Sequence, residues 1–148
     1  MPKVTQLGHV GIFVKDYEGA RAFYRDVLGL TITDESQQRG MAFFSSRPDD
    51  EHHEIALFRE RGDGRLIEQI SFHVESLAVL KEYYRLFKER GVKIHETVTH
   101  GIALSIYFFD PEGNRLEVYW PTGIKWPQPF KRPIDLDLPD QALLKAHL

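Results

Sequence analysis

The clearest pattern in the chain is a change of hydrophobic period, from two to about 3.6 and back again, that occurs twice. After Leu7 the run Gly8-His9-Val10-Gly11-Ile12-Phe13-Val14 puts Val10, Ile12 and Val14 on one face and His9, Gly11 and Phe13 on the other, which predicts a strand. Asp16 then stands where an N-cap belongs. Ala20, Phe23, Tyr24, Val27 and Leu28 recur at helical spacing up to Gly29, a residue suited to ending a helix. Leu30 to Thr33, Met41 to Ser45 and Glu54 to Phe58 follow as short strand candidates, separated by polar segments that contain Gly or Pro. The first half thus reads as a βαβββ unit.

The second half repeats the pattern. Gln69-Ile70-Ser71-Phe72-His73-Val74 predicts a strand, and Ser76 is an N-cap for a helix carrying Leu77, Leu80, Tyr83, Tyr84 and Phe87 before Gly91. Three short strands come next. Superposing the halves places His9 on Gln69, Phe23-Tyr24 on Tyr83-Tyr84, Gly29 on Gly91, Phe43-Phe44 on Phe108-Phe109, and Glu54 on Glu117. Two copies are too few for a solenoid, so the expected fold is α+β: two βαβββ modules forming a curved mixed sheet around a cleft. The expected organisation is a single domain, residues 1–148, with modules at about 5–60 and 65–120 and a packed tail at 121–148 that ends in a helical pattern from Asp140 to His147.

Composition narrows the function. A hydrophobic content of 42% is ordinary for a soluble globular chain, and a net charge of -3 without any Lys/Arg-rich run gives no field for nucleic acid. The chain has no cysteine, so thiolate chemistry and Cys-ligated zinc are excluded and a metal must be held by N and O donors. Met1 to Gln6 lack the apolar run of a signal peptide, and no stretch is long enough to cross a bilayer. A cytoplasmic protein with no membrane partner is expected.

The superposition singles out four polar strand residues with apolar neighbours: His9, Glu54, Gln69 and Glu117. One imidazole, one amide oxygen and two carboxylates facing a common cleft would suit a divalent cation. Taken alone, Glu54 reads as a solvated strand residue. His9 and Glu117 together read as ligands, because they occupy terminal strands of the two modules.

Four segments resemble the vicinal oxygen chelate superfamily of glyoxalases, fosfomycin and bleomycin resistance proteins and extradiol dioxygenases. They are Gly8 to Ile12, the Phe-Tyr-Arg-Asp-Val-Leu-Gly-Leu run at Phe23 to Leu30, His52-His53-Glu54, and Tyr107 to Glu117 with its Asp-Pro-Glu-Gly-Asn turn. The similarity spans roughly residues 5 to 120. It implies metal ligation by His9 and Glu117, with Gln69 in the place where relatives carry a third ligand, a His. Glutamine offers a weaker oxygen donor, as in glyoxalases that use one His, one Gln and two Glu, and Gln69 ranks ahead of His73 two pleats along. The resemblance to extradiol enzymes implies Fe(II) as first choice, with Mn(II), Ni(II) or Zn(II) as alternatives, and a homodimer. It also places His53, His100 and Tyr107 as proton-transfer residues. On a regular strand His53 and Glu54 cannot share a face, so His53 serves only if the strand begins after it; otherwise His52 and His53 are a solvated loop end. Tyr107 reads first as an aromatic that closes the cleft and only second as an acid.

Two classes of function therefore stand. One is a metal-dependent enzyme, with extradiol cleavage of a catechol-like ring ahead of a glyoxalase-like isomerisation or lyase reaction. The other is a metal-free protein of the bleomycin resistance type that sequesters an aromatic or vicinal-oxygen small molecule. Gln69 favours the second, and His9 with Glu117 the first.

Overall fold

The computed structural model describes residues 1–27, 29–60, 62, 64, 66–109 and 113–147. The chain forms two compact units, one of Gly8–Ile70 and the other of Ser71–Leu148 together with Met1–Leu7. Leu28 of the first helix pattern and Asp110, Pro111 and Glu112 of the turn motif lie outside the described residues.

In the unit Gly8–Ile70 the elements are β1 (Gln6–Phe13, from Gly8 on), α1 (Tyr17–Ala22), β2 (Thr31–Ser36), β3 (Met41–Ser45), β4 (Ile55–Phe58) and the start of β5 (Ile67–His73). The strands lie in the order β2-β3-β4-β1-β5. β2, β3 and β4 are antiparallel neighbours, and β4 returns parallel to β1. Asp16 caps α1 as expected, its Oδ1 accepting from the Gly19 N–H at 3.0 Å. The helix does not run on in α form to Gly29. Phe23–Val27 is a π-helical turn, and the Leu30 N–H closes back on the Tyr24 carbonyl at 3.1 Å across Gly29, whose φ of 70° needs no Cβ in the way. Tyr17, Ala42, Phe44 and Leu57 form the buried core here, with Ile12 and Val14 packed on it. That is the β1 face assigned from alternation.

The other unit continues β5 and adds α2 (Leu77–Arg90), β6 (Ile94–Thr99), β7 (Ala103–Phe109), β8 (Arg115–Pro121), β9 (Arg132–Pro133) and α3 (Asp140–His147), with strands in the order β5-β8-β7-β6-β9. Ser76 caps α2 by accepting from Val79 N–H at 3.2 Å, and Gly91, at φ 67°, ends it. Leu77, Leu80 and Phe87 of α2 pack on Leu104, Ile106 and Phe108 of β7 and on Val118 of β8. The tail belongs to this core. Ile134, Leu136 and Leu143 are buried in it, β9 pairs with β6, and Lys81 Nζ reaches Leu138 O and Asp140 Oδ1 at 2.7 Å each. Both halves are βαβββ, and no helix of the described residues is long and apolar enough to cross a membrane.

The registers revise the internal superposition. Val14 N–H donates to Phe58 O at 2.8 Å in one module, and Val74 N–H donates to Tyr119 O at 2.9 Å in the other. Each module also carries one extra residue at the matching place, Thr33 between the Ile32↔Phe44 and Asp34↔Phe43 pairs, and His95 between the Ile94↔Phe108 and Glu96↔Tyr107 pairs. Phe44 therefore corresponds to Phe108, and Phe43 to Tyr107. Carried across to the last strands, Phe43↔Ala56 and Tyr107↔Glu117 make Glu117 the counterpart of Ala56, and two residues back Glu54 is the counterpart of Arg115. The equivalence of His9 with Gln69 stands, whereas that of Glu54 with Glu117 is corrected by two residues.

Candidate functional site

In the unit Gly8–Ile70 the outward face of β1 gathers an imidazole cluster. His9 is buried, its ring lies 4.1 Å from that of His53, and its Nε2 is 3.0 Å from Gln69 Nε2. An amide nitrogen only donates, so His9 Nε2 accepts and the ring proton sits on Nδ1. His52 Nδ1 and His53 Nδ1 are 2.8 Å apart, and Phe43 meets both rings, at 5.8 and 4.9 Å. The condition set on His53 is met, since β4 begins at Ile55 and leaves His53 on the side of His9. Glu54 turns elsewhere. Its Oε2 accepts from Ser46 N–H at 2.7 Å and Ser46 Oγ–H at 2.6 Å, and the Ser46 hydroxyl and backbone bonds hold this carboxyl below the usual Glu range.

In the unit containing Ser71–Leu148 alternation sends Leu104, Ile106 and Phe108 to the core and Ser105 and Tyr107 to the opposite face of β7. On that face Glu117 is 2% exposed, and Ser71 Oγ–H donates to its Oε2 at 2.5 Å. Ser71 was missed from sequence, although it lies two residues from Gln69 on one strand and so shares its face. The counterparts of Ser71 and Glu117 in the first module are Gly11 and Ala56, which carry no polar side chain. Only the second module keeps a carboxylate here.

Next to Glu117 on this sheet, Tyr107 OH is 3.1 Å from His100 Nε2, while His100 Nδ1 is 2.9 Å from Phe130 O. The Arg115 guanidinium lies 4.1 Å over the Tyr107 ring and its Nη2 donates to Glu96 Oε1 at 3.3 Å. Burial raises the Glu96 carboxyl, but Lys131, at 2.8 and 2.9 Å, and Arg115 outweigh it and leave the group below its ordinary value. His73, ranked behind Gln69, is held at Nδ1 by Thr5 Oγ1 at 2.7 Å and packs edge-on to Tyr119, and burial lowers its pKa.

The structure thus brings His9, His53 and Gln69 together in one unit and His100 with Tyr107 in the other, beside the buried Glu117. Among the described residues no three His, Asp or Glu side chains gather as a ready metal cage. A divalent ion at this donor set would need an amide oxygen as well as an imidazole and a carboxylate. Donors of these three types are carried by His9 and Gln69 in one unit and by Glu117 in the other, each buried, with the His9 imidazole nitrogen bonded to Gln69. The donor types fit a hard or borderline cation.

A family model described as Glyoxalase/Bleomycin resistance protein/Dioxygenase superfamily matches residues 6–118. Among curated proteins the chain is similar to biphenyl-2,3-diol 1,2-dioxygenase 3 of Rhodococcus globerulus, 28% identical over 126 residues, covering 80% of this chain and 64% of that protein. It is also similar to 1,2-dihydroxynaphthalene dioxygenase of Pseudomonas putida, 28% identical over 133 residues, covering 86% of this chain and 42% of the relative. Among solved structures, the Mn(II)-bound glyoxalase from Novosphingobium aromaticivorans superposes with a TM-score of 0.70 at 27% identity, covering 86% of this chain and 44% of that one. The chain spans less than two thirds of the length of these curated relatives.

Proposed function

We propose a function from one premise, that this chain belongs to the Glyoxalase/Bleomycin resistance protein/Dioxygenase superfamily. Our reading is that it is an extradiol-type dioxygenase acting on an aromatic vicinal diol. The observation that carries it is the His100–Tyr107 pair, a phenol and an imidazole 3.1 Å apart on the sheet face that also holds the buried Glu117. Similarity to two aromatic-diol dioxygenases supports the substrate class.

In this proposal His9, Gln69 and Glu117 hold a divalent metal, Fe(II) by preference. Glu54, committed to Ser46, stands outside the set. When bound, the metal would hold both substrate oxygens and lower the pKa of a hydroxyl. The rest falls to the chain's own side chains. Tyr107 takes a substrate hydroxyl proton as its own passes to His100 Nε2, so one proton moves from substrate to imidazole and no charge is stranded on the phenol. His53, against His9, lies within reach of a ligand held there and would donate or accept a hydrogen bond. Both atoms of O₂ enter the ring-opened product, and no external reductant is needed. A single domain and a homodimer complete the proposal.

The test is anaerobic loading with Fe(II), then addition of air with catechol, 2,3-dihydroxybiphenyl or 1,2-dihydroxynaphthalene, followed by O₂ uptake and the appearance of a coloured ring-opened product. Turnover that falls at least a hundredfold in His9→Ala and Glu117→Ala supports the reading. An iron-loaded protein that consumes no O₂ with any of the three diols overturns it.

A second reading, metal-free binding of a small aromatic molecule, is favoured by one contact, the Gln69 amide occupying the His9 Nε2 lone pair. It requires that no divalent ion raise the melting temperature.

A further inference from the structure

Two groups of His100 are held by the tail, while its backbone N–H donates to Ala103 O at 2.8 Å. Nδ1 faces the Phe130 carbonyl at 2.9 Å, and the backbone carbonyl of His100 accepts from Gln128 Nε2 at 2.8 Å. The other arm of the same Gln128 amide, Oε1, accepts from the Phe130 N–H at 3.3 Å. One side chain therefore ties the backbone of His100 to the backbone of Phe130. Trp126 packs its Cβ and Cγ where any side chain at Gly101 would stand, and its ring lies 5.2 Å from that of Phe130.

The chemistry of these partners selects a tautomer. A carbonyl oxygen only accepts, so Nδ1 must carry the ring proton in the neutral imidazole. Nε2 is then the lone-pair nitrogen, turned toward the Tyr107 hydroxyl. The opposite tautomer would set the Nδ1 lone pair against the Phe130 oxygen and leave Nε2 without a lone pair for Tyr107. We propose that Gln128 is a positioning residue, which holds the Phe130 carbonyl against His100 so that the imidazole is kept as the Nδ1–H tautomer able to accept the Tyr107 proton. This rests on the proton-transfer role given above to His100 and Tyr107. Gln128 acts only through His100.

Imidazole ¹⁵N–¹H correlation spectra of the full chain, labelled at histidine and recorded on the neutral side of the imidazole titration, read the tautomer without turnover. His100→Gln identifies the His100 signals among the seven histidines. Wild type should show Nδ1 protonated and Nε2 bare. Gln128→Ala should mix the two tautomers, and in the active enzyme lower kcat on the order of tenfold while KM stays nearly constant. Tyr107→Phe should leave Nδ1–H in place, because the Phe130 carbonyl rather than the phenol selects it. Nε2–H in wild type, an unchanged single tautomer in Gln128→Ala, or a switch in Tyr107→Phe would each overturn the proposal. A wild type that cleaves no diol overturns the ring-cleavage reading instead, and the spectra decide this inference separately.

Discussion

Replacing Gly101 by Ala tests the packing that holds the tail over His100. Gly101 has a φ of 74°, where an L side chain costs roughly 1–2 kcal/mol. A Cβ there would also lie 2.6 Å from Trp126 Cβ, 2.7 Å from its Cδ1 and closer still to its Cγ. Those atoms sit at the root of the indole, so no small rotation clears them and the backbone of the tail must shift, which adds about 1–3 kcal/mol as for other overpacked sites. Gly91 provides the reference. It has nearly the same φ, 67°, and nothing within 4 Å of an added methyl, so Gly91→Ala carries the backbone cost alone. Thermal and urea unfolding should show Gly101→Ala losing about 2–5 kcal/mol and Gly91→Ala about 1–2. Trp126→Ala added to Gly101→Ala should recover much of the difference, a coupling that a double-mutant cycle measures directly. If the two glycine variants unfold alike, Trp126 does not seat on Gly101 and the account of the tail fails.

Three further outcomes are expected. Gln69→His replaces an amide oxygen by an imidazole nitrogen and should tighten Fe(II) by on the order of tenfold, about 1.4 kcal/mol, in anaerobic calorimetric titration; equal affinity in the two proteins would place Gln69 outside the metal shell. Ser71→Ala removes a hydroxyl donor from the buried Glu117 carboxylate and should cost about 1–3 kcal/mol in urea unfolding, and a loss below about 0.5 would show that this bond does not matter. Burial lowers the pKa of His73 from its ordinary value of 6.5, so the unfolded state takes up the proton first as pH falls. Its contribution to stability is whole above pH 6.5 and is lost below it, and His73→Gln should flatten that part of the stability profile; an unchanged slope would refute the assignment.

Much of this fold was legible because its signals are local. The alternation at Val10, Ile12 and Val14 picked out the β1 face from which Ile12 and Val14 pack on the core, Ser76 and Gly91 marked both ends of α2, and Asp140 to His147 matched α3 residue for residue. Each depends on dihedral preference and period within a few residues, and these are properties of the chain itself. His9, Gln69 and Glu117 were singled out as polar residues in apolar strands, and His100 and Tyr107 by a family resemblance, itself borne out by the match over residues 6–118.

What tertiary structure decided was pairing. The bulges at Thr33 and His95 mark matching places in the two modules, and the pairings next to them, Phe43↔Ala56 and Tyr107↔Glu117, put Ala56 rather than Glu54 at the place of Glu117, while Glu54 bonds to Ser46. Alternation cannot reveal it, because residues 54 and 56 share one face and a two-residue slip preserves the pattern. The grip of Gln128 on His100 is likewise invisible from sequence. It joins residues 28 apart through a backbone carbonyl and a backbone N–H, a pair of groups that every residue except proline possesses and that only the packed tail brings within hydrogen-bonding distance.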